Sequence, residues 1–90
     1  MLNIYQSQKF KREYRKAMKR GHREQNFIAV VAALAEQKPL HSRYRDHALT
    51  GNYITFRECH IEPDWLLIYR VNTAENTLEL ARTGTHSDLF

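Results

Sequence analysis

Imidazoles and carboxylates are the reactive groups that dominate this 90-residue sequence. Five histidines are present, and three of them have a context that chemistry could use. His47 follows Asp46, His60 stands just after Glu58 and shortly before Asp64, and His86 falls where the last predicted strand runs out. An imidazole titrates near neutrality, so a pair of them supplies a base and an acid without a metal. A neighbouring carboxylate fixes the tautomer and favours the charged ring. Spacing alone leaves a plainer alternative, ordinary surface histidines. His22 and His41 have no such context and are read as solvent-exposed.

Other chemistries are less well served. Glu58, His60 and His86, with His47 as a fourth, could offer mixed nitrogen and oxygen ligands to a metal. No helical H-x-x-x-H or H-E-x-x-H pair accompanies them, so neither metal nor cofactor is expected. A phosphate-cradling P-loop, a dinucleotide fingerprint and a G-x-S-x-G elbow are all absent. The lone Cys59 excludes an internal disulfide framework and reads as a small core residue.

The elements that must position these groups change period halfway along. Leu2 to Tyr5 is a short possible strand. Ser7 can cap a helix running to about Arg20, with Phe10, Tyr14, Ala17 and Met18 on one apolar stripe. Gly21 suits its end. A second helix, from about Arg23 to Glu36, buries Phe27, Val30, Val31 and Leu34, and Pro39 stops it. Residues 38–51 read as a loop. Tyr53 to Ile61, Trp65 to Val71 and Thr77 to Thr85 are then rich in β-branched and aromatic residues and read as three strands. Glu62-Pro63-Asp64 and residues 72–76 turn between them. The result is one α+β domain over residues 1–90: a β-α-α-β-β-β order, two helices on one face of a mostly antiparallel sheet, the other face open. Alternation puts Cys59 and Ile61 under the helices, Glu58 and His60 on the open face, and Arg57 near the sheet margin.

Charge adds a second signal. The net charge is +4, but residues 1–23 carry +7, from Lys9, Lys11, Arg12, Arg15, Lys16, Lys19, Arg20 and Arg23 against Glu13 alone. Such a cluster suits a polyanion, since cations that meet phosphates release counterions. A solvated helix face is the bland alternative. No apolar stretch approaches the roughly 20 residues of a membrane span, and no leader is evident, so a cytoplasmic protein with no membrane partner is expected.

Three blocks carry a family resemblance. They are Tyr44-Arg45-Asp46-His47-Ala48-Leu49-Thr50-Gly51, the run Phe56 to Tyr69 containing His60-Ile61-Glu62-Pro63-Asp64-Trp65, and Arg82-Thr83-Gly84-Thr85-His86-Ser87-Asp88-Leu89-Phe90. With the helical first half, the chain resembles the YafQ-type toxins of the RelE/ParE superfamily. The resemblance implies a ribosome-dependent mRNA endonuclease, neutralised by a DinJ-like antitoxin and acting on mRNA in the ribosomal A site. It carries over His47, His60, Asp64, His86 and Phe90 as site positions, and Glu58 stands where relatives can have the shorter Asp.

RNA needs no external nucleophile. Its own 2′-OH can attack the adjacent phosphorus, leaving a 2′,3′-cyclic phosphate and a 5′-OH. On that scheme His86 is the general acid, at the strand end after Gly84, whose bare backbone lets RNA come close. His60 or Asp64 is the base or orients the 2′-OH. His47 helps hold the phosphate, and Phe90 stacks on a base. Lys11, Arg12, Arg15 and Lys19 would dock on ribosomal RNA. The rival readings are a binding module without catalysis and a ParE-like gyrase poison on the same fold.

Overall fold

Helix initiation follows the sequence closely. The Ser7 hydroxyl accepts from the Phe10 N–H at 3.0 Å and donates to the Ala81 carbonyl at 2.8 Å, so it caps one element and ties it to another. The computed structural model describes residues 1–90. Its elements are β1 (Asn3–Gln6), α1 (Gln8–Lys19), α2 (Glu24–Ala35), β2 (His47–Ala48), β3 (Arg57–Glu62), β4 (Trp65–Asn72), β5 (Thr77–Gly84) and α3 (His86–Leu89). The strands form one sheet in the order β1-β5-β4-β3-β2; β1 runs parallel to β5 and every other pair is antiparallel. This is the expected α+β arrangement with two additions, β2 and α3. Gly21 ends α1 at φ 88°, a left-handed value that a side chain would resist.

The main core lies between the two long helices and the sheet. Phe10, Phe27, Val30 and Leu34 meet Trp65, Leu67, Tyr69, Leu78 and Leu80, with Cys59 and Ile61 beneath them as alternation required. Trp65 is fully buried and packs against Phe27 with ring centroids 6.2 Å apart. Truncating a ring like it costs about 3–5 kcal/mol. Burial pushes the Cys59 thiol well above its ordinary value, so it stays protonated and unreactive.

The opposite face is not open. Leu66, Ile68 and Leu89 form a second buried cluster, with Leu49, Tyr53, Phe56 and Ala81 against it. This corrects two expectations. Glu58 and His60 do lie opposite the long helices, but both are buried. And the first long strand begins at Arg57 rather than Tyr53. Residues Gly51–Tyr53 form a 3-10 turn instead, because Tyr53 and Phe56 are spent covering Leu66 and Ile68. Tertiary burial overrides their strand preference.

Two bulges set what each face receives. In β5, Tyr69 pairs with Leu80 but Ile68 pairs with Arg82, leaving Ala81 without an opposite number. Leu80 therefore faces the long helices while Arg82 and Gly84 fall on the second face, although even spacing would align all three. In β3, His60 pairs with Leu66 and Glu62 with Trp65, skipping Ile61. That turns Glu62 toward the α1–α2 connection. No helix is long and apolar enough to cross a membrane.

Candidate active site

Register builds the site from both ends of β3. His47 on β2 pairs directly with Glu58, and His60 lies two residues further along β3. The Nδ1 of His47 is 2.7 Å from the Arg45 carbonyl, and the Nδ1 of His60 is 3.2 Å from the Pro63 carbonyl. A carbonyl only accepts, so each Nδ1 carries a hydrogen and each ring turns its Nε2 the other way. Both Nε2 atoms face the same oxygen of Glu58, at 3.5 Å from His47 and 3.8 Å from His60. The Glu58 side chain is 4% exposed, so this carboxylate sits beneath two imidazoles with little water around it.

His86 arrives from α3, one residue beyond Thr85. Its ring centroid is 5.6 Å from that of His60, and its Nδ1 is 3.9 Å from a carboxylate oxygen of Asp64. The His86 side chain is 60% exposed, in contrast to His60 at 10%. Phe90 is also exposed and lies edge-on to Tyr53, with its ring 6.4 Å from His86. Thus His47, Glu58, His60, Asp64, His86 and Phe90 form one continuous patch. Lys11, Arg12, Arg15 and Lys19 do not join it; they are exposed along α1.

The supporting contacts are mostly ones that sequence reasoning passed over. Asp46 does not serve its neighbour His47: it accepts from the Tyr69 hydroxyl and from Arg57, which pins the loop ahead of β2. Burial, then the Asp46 carboxylate, pushes the Tyr69 phenol well up. Arg57, exposed and bonded to Asp46, sits at the margin as expected. The Asp88 side chain accepts from the Thr85 N–H at 3.0 Å while Thr85 caps the Asp88 N–H, and Arg20 donates to Asp88 at 2.6 Å. The Arg20 guanidinium and these Thr85 bonds hold the Asp88 carboxyl well below the usual carboxylate range. A Thr-x-x-Asp spacing signals such a reciprocal cap in sequence.

Two expectations fail here. His22 is not a free surface residue: it stacks on Trp65 with centroids 4.8 Å apart and its Nδ1 lies 3.1 Å from Glu62. The bulge that re-aims Glu62 made this contact invisible to simple alternation. Nor does Gly84 leave its backbone open for RNA. Asp88 fills that space, and a Cβ on Gly84 would stand 2.9 Å from the Asp88 Cβ.

Glu58, His60 and His86 can each aim one ligand atom so that all three lie within 4.8 Å of one another. Two imidazole nitrogens and one carboxylate oxygen make a donor set suited to a transition metal, so the residues fit such an ion.

The comparisons with known proteins agree on one group. The family model described as a bacterial toxin of a type II toxin–antitoxin system, YafQ, matches residues 2–90. The mRNA interferase toxin YafQ of Escherichia coli K12 is 36% identical over 90 residues, covering 98% of this chain and 95% of that protein. Among solved structures, a metal-bound toxin from Helicobacter pylori superposes with a TM-score of 0.94 at 44% identity, covering 100% of both chains. The toxin of the E. coli DinJ–YafQ complex does so at 0.88 and 33%, covering 100% of this chain and 99% of that one.

Proposed function

This chain belongs to the YafQ family of bacterial type II toxins, and we propose on that premise that it is an mRNA interferase which cuts by acid–base chemistry on its histidine cluster. The observation that carries the reading is the shared Glu58 oxygen. Two imidazoles turn their Nε2 atoms toward it, and a third imidazole, that of His86, stands 5.6 Å from one of them.

The roles follow from exposure and tautomer. The 2′-OH attacks the neighbouring phosphorus, and its proton passes to Nε2 of His60 in the neutral form of that ring. The bond to the 5′-oxygen breaks as His86 donates a proton to it, leaving a 2′,3′-cyclic phosphate and a 5′-OH. Glu58 balances the charge His60 acquires. Asp64, beside His86 Nδ1 and 71% exposed, orients the acid rather than serving as base. His47 holds the phosphate as charge develops on it, and Phe90 stacks on an adjacent base. Glu58, His60 and His86 would also hold a metal, which supplies Lewis-acid polarisation of a phosphoryl oxygen when bound.

The partners follow the same premise. The substrate is mRNA in the ribosomal A site, and α1 docks on ribosomal RNA. The neutralising partner is a cognate antitoxin of the DinJ kind, a reading supported by the resemblance to the toxin of the DinJ–YafQ complex. Both act in the cytoplasm.

Mapping transcript 5′ ends after induction tests the reading. New 5′-hydroxyl ends inside coding regions are expected, appearing as translation stalls. Replication arrest without such ends would favour the gyrase reading. Intact transcripts and unaffected replication, with ribosome binding retained, would favour a binding module.

A further inference from the structure

A cavity of about 410 Å³ adjoins the histidine cluster through His60. Asn26, Arg43, Tyr44, Arg45, His60 and Glu62 line it. Its size falls within the roughly 300–1,000 Å³ of pockets that take a small ligand. His60 is the wall common to both spaces: the ring borders the cavity while its Nε2 faces Glu58. A strand that contacts both His86 and His60 is therefore within reach of this cavity.

Its charge is cationic and available. Arg20, Arg57, Arg70 and Arg82 are each paired with a carboxylate, whereas Arg43 and Arg45 have none. Arg43 is braced without being neutralised: its guanidinium carbon lies 4.9 Å over the Tyr44 ring, and it donates to the Tyr44 hydroxyl at 2.9 Å. Arg45 holds a left-handed backbone at φ 50°, and its carbonyl accepts from His47. Glu62 is the one carboxylate in the lining. It is already occupied by the Arg23 N–H, the Asn26 amide and His22, each at 3.1 Å. A guanidinium without a carboxylate is well suited to a phosphate, which it can clasp with two parallel N–H bonds.

We propose that this cavity is a subsite for the nucleotide adjoining the cleavage point of a single-stranded RNA, with that nucleotide's phosphate on Arg43 and Arg45. The inference rests on the interferase reading and extends it to a second contact along the strand. Because the Arg45 carbonyl also fixes His47, filling the subsite and ordering the cluster involve the same short turn.

The test pairs two measurements on the parent and an Arg43→Gln, Arg45→Gln double variant, whose side chains are exposed and whose melting temperature should match the parent. In single-turnover cleavage on programmed ribosomes, the variant should need about 10-fold more ribosome–mRNA complex for half-saturation, with the maximal rate within about 3-fold; one lost phosphate clasp at a charged hydrogen bond predicts that scale. In a ribosome-free NMR titration with a 2′-O-methyl RNA trinucleotide, which cannot be cut, the parent should show shifts at the Arg43 and Arg45 Nε–H and the His60 ring, with weaker binding in the variant. Shifts confined to His47 and His86, or equal affinity for parent and variant, overturn the subsite. A parent that cuts no RNA refutes the interferase reading, while the titration still decides the subsite.

Discussion

Arg20, the C-cap of α1, and Asp88 on α3 meet at 2.6 Å across 68 positions of sequence. Since Asp88 also closes the reciprocal cap with Thr85, the short turn presenting His86 is held both from within and from the basic helix.

That anchor should weaken in acid. Arg20 and Thr85 hold the native Asp88 carboxyl below its ordinary value, so the unfolded chain takes up a proton there first as pH falls. The stabilisation is complete above the unfolded value, near pH 4, and is lost as pH falls toward the lower native value. Denaturant midpoints measured from about pH 5 to 2 should therefore fall more steeply in the parent than in Asp88→Asn. Parallel curves would remove Asp88 from the acid response.

Gly84→Ala should damage the same turn from inside. The new methyl would stand 2.9 Å from the Asp88 Cβ, so either the cap opens or β5 shifts. A loss of about 1–3 kcal/mol is expected, the usual scale of overpacking, together with slower cleavage. Thermal melts and single-turnover rates on one preparation check both.

His86→Ala should lower cleavage by about 10²–10⁴-fold, the range for one acid–base group. Its side chain is 60% exposed, so the melting temperature should barely move. The suitable control is His41→Asn, which keeps an acceptor for the Arg43 N–H. His22→Ala is unsuitable, because it would strip Trp65 of a stacked ring and Glu62 of a partner. Parental cutting by His86→Ala would take that residue out of the chemistry.

Cleavage should survive a transition-metal chelator, provided Mg²⁺ is kept for the ribosome. Added zinc or copper should instead inhibit, by occupying the Glu58, His60 and His86 atoms that lie within 4.8 Å of one another. Activity lost to the chelator and restored by zinc would make the ion part of the reaction.

Charge reversal of α1, with Lys11→Glu, Arg12→Glu, Arg15→Glu and Lys19→Glu together, should weaken ribosome binding and flatten its salt dependence. All four side chains are exposed, so the fold should persist. Binding that is unchanged across a salt series would leave α1 a solubilising face.

What the sequence made legible was whatever obeys a fixed period. The stripes of Phe10 to Met18 and Phe27 to Leu34, the Ser7 cap and the burial of Cys59 all follow from spacing. Periodicity failed where a bulge reset it: the extra residue at Ala81 moves Arg82 to the second face, and the irregularity at Ile61 sends Glu62 to His22. It also failed at Tyr53 and Phe56, whose strand preference gave way to covering Leu66 and Ile68. The histidines could be nominated from composition and family resemblance. That two of them would present Nε2 to one oxygen of a buried Glu58 depends on carbonyls of Arg45 and Pro63 that no side-chain pattern encodes.

The parallel pairing of β1 with β5 has a consequence in time. These strands are neighbours in the sheet, yet Asn3 can donate its N–H to the Asn76 carbonyl and align with Thr77 only after nearly the whole intervening chain has been made. His86 follows β5 in the order of synthesis, and so do the Leu89 and Asp88 contacts that seat it. A nascent chain thus carries His47 and His60 long before it carries their third companion. A ribosome translating this protein is exposed to an incomplete blade until α3 clears the exit tunnel.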